Sequence, residues 1–148
     1  MPILIVMGPA CSGKSYFIKN NYQNATVIDL YDFQRRGFSC VEDIWKSYVE
    51  CAEALKNAIK ENEGKNQLIV LEHTLLKKIR REWYMSQIRE ITNEDVEIIC
   101  ISPSVETFCE RAKRRGIDMD IEDAKNTLSI LELPTIEEGY SKITILTP

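Results

Sequence analysis

Residues 8–15 read Gly8-Pro9-Ala10-Cys11-Ser12-Gly13-Lys14-Ser15 and match the phosphate-binding pattern G-x-x-x-x-G-K-[ST] at every fixed position. The apolar run Ile3-Leu4-Ile5-Val6-Met7 precedes them at strand length, and Tyr16-Phe17-Ile18-Lys19-Asn20 follows as the continuation of a helix. The pattern therefore stands in the strand–loop–helix context that gives it meaning. Gly8 and Gly13 let the backbone turn tightly and approach a phosphate without a Cβ in the way. Successive backbone N–H groups then face one concavity, and the start of the next helix adds its positive dipole end. Lys14 is expected to reach the β- and γ-phosphates, and the Ser15 hydroxyl to bind Mg²⁺. Among the variable positions Pro9, Ala10, Cys11 and Ser12, the proline has no N–H to give, and Cys11 reads as a space-filling residue.

The 148 residues suit one domain over 1–148. Hydrophobic residues make up 44% and charged residues 28%, the balance of an ordinary globule, and no apolar run approaches a membrane span. The first apolar run carries no basic flank, so no signal peptide is expected. The five cysteines are scattered and never form a C-x-x-C pair, which argues for a reducing, cytoplasmic setting without a structural metal. The net charge of −4 excludes a generic nucleic-acid-binding surface, so any polyanion site must be a local basic cleft.

Outward from the loop, the pattern alternates. Strands are expected at Ile3–Met7, Ala25–Ile28, Gln67–Leu71, Val96–Ile101 and Ile143–Leu146. A long helix over Val41–Asn62 carries Ile44, Tyr48, Cys51, Leu55 and Ile59 at helical spacing. A second, Lys77 to about Ile91, places Ile79, Trp83, Ile88 and Ile91 inward. A third presents Val105, Phe108, Cys109 and Ala112, and a fourth, about Asp120–Glu132, presents Ile121, Ala124, Leu128 and Leu131. The order β α β α β α β α α β argues for a parallel, doubly wound α/β sheet whose strand ends gather on the rim that holds the phosphate loop.

The unusual charges fall on that rim. Asp29 and Asp32 follow the second strand, where a carboxylate can orient an acceptor hydroxyl and take its proton; Asp32 is preferred, and the other reading is a pair of turn or cap carboxylates. Arg35 stands three residues after Asp32 and could hold an acidic acceptor. Glu72 closes the third strand, where it can hold Mg²⁺ beside Ser15. His73, the only histidine, reads as a loop residue lining the acceptor site. Lys77, Lys78, Arg80 and Arg81 are either an acceptor clamp or a solvated helix start. Arg111 and Arg115 share a helix face at i and i+4 and can stabilise charge on the transferred phosphoryl group.

The loop, the stretch Asp29 to Arg35, the strand end L-E-H-T-L-L-K-K-I-R-R, the segment E-R-A-K-R-R-G and the tail L-P-T-I-E-E-G-Y occur in an order that resembles the polynucleotide kinase family of P-loop kinases. The resemblance covers nearly the whole chain. R-x-x-x-R and P-T-x-x-E-G-[FY] are its specific signals, since the loop alone is shared by many NTPases. It implies a P-loop NTPase fold of about five parallel strands with helices on both faces and an arginine-bearing lid. It also implies an ATP·Mg²⁺ kinase in which Arg111 and Arg115 are lid arginines on the donor phosphates. Arg35, Thr74 and Arg80 are the candidate acceptor-side residues. The chain departs from the family in having Glu72-His73-Thr74 where D-x-[TN] is common. The expected activity is transfer of the γ-phosphoryl group of ATP to a hydroxyl, with a polynucleotide 5′-hydroxyl as first-choice acceptor. Small-molecule kinases, and a nucleotide-binding ATPase or switch module, are the alternatives.

Overall fold

Continuous apolar runs become strands covered on both sides, and the structure, a computed structural model describing residues 3–34 and 41–148, is built on three of them. In chain order the elements are β1 (Ile3–Met7), α1 (Lys14–Asn21), β2 (Thr26–Asp29), α2 (Tyr31–Gln34), α3 (Val41–Glu61), β3 (Ile69–His73), α4 (Lys78–Arg89), β4 (Val96–Ile101), α5 (Val105–Arg114), α6 (Ile121–Ile130), a 3₁₀ turn (Ile136–Glu138) and β5 (Lys142–Leu146). Among the described residues the strands form one five-stranded sheet in the order β2-β3-β1-β4-β5, parallel throughout.

Side chains alternate across each strand, so the sheet has two cores. Ile3, Ile5 and Met7 join Ile69, Leu71, Ile98 and Cys100 under Cys51, Leu55 and Ile59 of α3 and Tyr84 and Ile88 of α4. Leu4 and Val6 join Val70, Ile99 and Ile101 under Ile18 and Phe17 of α1. A third, smaller cluster ties the phosphate loop to α5 and α6: Cys11 packs with Phe108 and Ala112, against Met119 and Leu128. Ser104 caps α5 through the Thr107 N–H at 3.2 Å, and Asp120 caps α6 through the Asp123 N–H at 2.8 Å.

A parallel sheet sends every strand's C-terminal end to one rim. β1 lies in the middle of the sheet. Its connection runs to β2 on one side, while that of β4 runs to β5 on the other, which opens a crevice at the rim beside the phosphate loop.

Several element readings are corrected. β3 does not stop at Leu71 but continues through Glu72 and His73. Those residues pair with Val6 and Met7 of β1, so the ladder carries the strand past the end of the apolar run. On α4 the buried face is Arg81, Tyr84, Met85 and Ile88, spaced i, i+3, i+4 and i+7; Ile79 is 71% exposed and Trp83 only partly buried. The helix turned this way because Arg81 has a buried counter-ion, as described below. On α3, Cys51, Leu55 and Ile59 are buried as expected, whereas Ile44 is exposed; on α6, Ala124 is buried and Ile121 exposed. The short helix α2 had no signal in the apolar pattern.

Candidate active site

The loop leaves β1 at Gly8, where a Cβ would lie 2.6 Å from the Ile101 carbonyl oxygen and 2.8 Å from Ser12 Oγ. No side chain fits there. At Gly13, which precedes the first turn of α1 with φ of 100°, a Cβ would lie 2.8 Å from Arg111 Nη1. Cys11 takes a left-handed conformation, φ 67°, and puts its side chain into the α5–α6 cluster, the space-filling role expected of it. The result is a glycine-lined turn leading directly into a helix N-terminus.

Lys14 is almost fully buried, and its Nζ donates to the Gly8 and Pro9 carbonyls at 2.8 and 2.9 Å. Burial pulls its pKa down to about 8, against the opposing charges of Glu72 and Asp29. The Ser15 hydroxyl donates to Glu72 Oε2 at 2.6 Å. Glu72 is itself buried. That burial raises its carboxyl above the ordinary range; the Ser15 hydrogen bond opposes the rise and the charge of Asp29 adds to it. Asp29, the last residue of β2, pairs with Glu72 in the β2–β3 register, so two carboxylates stand side by side near the ends of neighbouring strands.

Asp29 Oδ1 accepts the Tyr31 N–H at 3.0 Å and so also shapes the start of α2. Asp32 lies in the first turn of α2 with its side chain exposed. Arg35 lies outside the described residues. From the other side of the loop, Arg111 Nη1 donates to the Ser12 carbonyl, and Arg115 Nη1 lies 3.9 Å from Cys11 Sγ. Arg114 points elsewhere and pairs with Glu110 on the surface. The helical i, i+4 spacing therefore does bring Arg111 and Arg115 to the same loop.

The residues after β3 are less uniform. The Thr74 carbonyl accepts the Gly8 N–H at 3.3 Å. Arg80 is exposed on α4, with its guanidinium 4.9 Å from the centroid of the Trp45 ring. His73 is not a loop residue: it ends β3, is fully buried, and packs edge-on against Tyr48 and Tyr84. Burial, with the Lys14 charge adding to it, pushes its pKa down to about 3, so the ring is neutral. Arg81 is no part of a solvated or clamp-forming cluster. Its Nε and Nη2 donate to Glu138 Oε1 and Oε2 at 2.7 and 3.3 Å with both side chains fully buried. Glu138 in turn accepts the Thr135 N–H at 2.8 Å. The signal for this pair was present in the sequence, because Glu138 belongs to the P-T-I-E-E-G-Y tail; what that glutamate bonded to was not.

Among the described residues no three His, Cys, Asp or Glu side chains cluster as a self-sufficient metal site, and no helix is long and apolar enough to cross a membrane. No protein-family model matches the chain, and no curated protein matches it. Solved structures do. A gluconokinase from Sinorhizobium meliloti 1021 is similar with a TM-score of 0.66 and 17% identity, over 99% of this chain and 82% of that one. Chaetomium thermophilum Kti12, in complex with ADP-AlF3, is similar with a TM-score of 0.65 and 17% identity, over 99% and 89%. A chain of the Pnkp1/Rnl/Hen1 RNA repair complex gives a TM-score of 0.68 and 13% identity, over 88% of this chain and 43% of that one. The fold built around Gly8–Ser15 is thus the P-loop NTPase fold, an α/β architecture on a five-stranded parallel sheet that these solved structures share over most of the chain.

Proposed function

We propose that this chain is an ATP-dependent phosphotransferase that moves the γ-phosphoryl group of ATP·Mg²⁺ to a hydroxyl acceptor, with a polynucleotide 5′-hydroxyl as the preferred acceptor, in a cytoplasmic setting. The observation that carries the reading is the 2.6 Å contact between Ser15 Oγ and Glu72 at the mouth of a glycine-lined loop. A hydroxyl and a carboxylate so placed fit a hard cation that takes its remaining ligands from water and phosphate oxygens. At Gly8 and Gly13 a Cβ would collide with Ile101 and with Arg111, so glycine is what lets the loop close against β4 and α5 in this turn.

In this reading the loop N–H groups and Lys14 hold the donor phosphates, and the cation supplies charge neutralisation between them. Asp32, with Asp29 as the alternative, takes the proton of the acceptor hydroxyl as its oxygen attacks the γ-phosphorus. The bond to the β–γ bridging oxygen breaks and ADP leaves. Arg111 and Arg115 stabilise the charge that develops on the transferred group. Arg35, Thr74 and Arg80 are assigned to the acceptor side.

A small-molecule acceptor is the second reading. The net charge of −4 favours it, as does the similarity to a gluconokinase and to a sugar kinase from Janibacter sp. HTCC2649. Transfer of label from γ-labelled ATP, offered 5′-hydroxyl DNA and RNA oligonucleotides beside nucleosides, nucleotides and sugars, decides between them. Label on an oligonucleotide end supports the first reading. Label only on a small molecule supports the second, and ATP hydrolysis with no labelled acceptor overturns both.

A further inference from the structure

The segment Thr74-Leu75-Leu76 is held from several directions at the point where it meets the phosphate loop. Leu75 has φ of 40°, a left-handed conformation that a leucine adopts only where its surroundings impose it, and its side chain is buried. His73 Nδ1 accepts the Leu75 N–H at 3.2 Å. Arg81 Nη1 donates to the Leu75 and Leu76 carbonyls at 2.8 and 3.3 Å, and the Glu132 N–H donates to the Leu76 carbonyl at 2.8 Å. The product of this turn is the placement of the Thr74 carbonyl on the Gly8 N–H. Gly8 is also the residue whose carbonyl accepts Lys14 Nζ.

The imidazole is fixed in one tautomer by its partners. Tyr84 spends its hydroxyl proton on the Tyr48 carbonyl at 2.7 Å, so its oxygen accepts from His73 Nε2–H at 3.1 Å. Nδ1 is then bare and can only accept. Edge-on packing against Tyr48 and Tyr84, with ring centroids 4.7 and 4.8 Å away, fixes the plane of the ring, and the two hydrogen bonds fix which edge carries each nitrogen.

We propose that His73 is a positioning residue for nucleotide binding: its Nδ1 holds the left-handed turn at Leu75, and through the Thr74 carbonyl that turn sets the first residue of the phosphate loop. The inference rests on the phosphotransferase reading above, since it assigns the loop to a nucleotide. It predicts that replacements of one buried side chain separate by which ring nitrogen they imitate. His73→Asn keeps an acceptor near the place of Nδ1. His73→Gln keeps a polar group toward Tyr84 and loses that acceptor. His73→Leu is apolar and loses both.

The test is ATP·Mg²⁺ affinity by titration, with thermal midpoint and hydrogen exchange of the Gly8 amide measured on the same samples. His73→Asn is expected to bind within about threefold of wild type, and His73→Gln and His73→Leu to bind about tenfold more weakly, the equivalent of one net hydrogen bond. Their Gly8 amide is expected to exchange faster, and that of His73→Asn not to. Equal affinities in all three variants with lowered midpoints would show a purely structural histidine and overturn the inference, as would equal losses in Asn and Gln. His73→Leu keeps the test alive if His73→Gln does not fold. A wild-type chain that binds no ATP overturns the kinase reading instead, and the role of His73 in holding the turn is then judged by Gly8 exchange alone.

Discussion

Ser15 and Glu72 lie 57 positions apart and meet through a 2.6 Å hydrogen bond in which the hydroxyl donates to the carboxylate. If the pair serves a cation, Glu72→Gln, which keeps the shape and removes the charge, is expected to raise the Mg²⁺ concentration for half-maximal turnover by about tenfold or more. Ser15→Ala should shift it in the same direction. A magnesium titration at fixed ATP measures this, and an unchanged midpoint in both variants would remove the pair from the metal site.

Lys14 makes its hydrogen bonds to the loop's own carbonyls while buried, and its lowered pKa of about 8 means that the folded state holds the charge at a cost. Lys14→Met is therefore expected to abolish phosphoryl transfer with a thermal midpoint at pH 7 no lower than wild type. Near-normal turnover in the folded variant would sink the assignment of the loop.

Arg111 reaches the Ser12 carbonyl and Arg115 approaches Cys11, whereas Arg114 pairs with Glu110 in solvent. Arg111→Ala and Arg115→Ala are expected to lower kcat by about 100-fold or more, with acceptor KM little changed. Arg114→Ala should stay within about threefold of wild type, as for an exposed pair. If the first two variants altered only acceptor KM, both arginines would belong to the acceptor side.

The buried pair of Arg81 and Glu138 is expected to show in stability. Arg81→Met or Glu138→Gln alone leaves an unmatched buried group and should cost about 3–5 kcal/mol in denaturant unfolding, with much of the loss recovered in an apolar double replacement. Burial alone would raise the Glu138 carboxyl, but hydrogen bonds from Arg81 and from the Thr135 backbone, with the Arg81 charge, outweigh it and hold the group below the ordinary range. The unfolded state then binds this proton first on acidification. The stability Glu138 contributes is complete above pH about 4.5 and is lost as pH falls through the folded-state pKa. Comparing unfolding free energies of wild type and the apolar double variant between pH 7 and 3 isolates that loss; parallel curves would contradict it.

The fold was legible where the sequence encodes it locally. The apolar run Ile3–Met7, the glycines and lysine of the loop, and the four-residue step from Arg111 to Arg115 each state their geometry within a few residues. What hid was decided across the sheet or between distant segments. Glu72 reads as the close of a strand and His73 as a loop residue until β1 pairs with both. Ile79 looks more like a core residue than Arg81 until Glu138 arrives to neutralise the arginine. The left-handed leucine at 75 carries no composition signal, because a leucine there is tolerated only through bonds made by residues elsewhere.

The partner of Arg81 is made late in synthesis, 57 residues after it. While the chain is growing, β1, the phosphate loop, β3 and α4 can all be present with a bare guanidinium at the spot that later becomes fully buried. The support behind the Leu75 turn is complete only when the segment around Glu138 has left the ribosome. A chain that has not yet made Glu138 therefore carries the arginine of α4 without the counter-ion that its buried place requires.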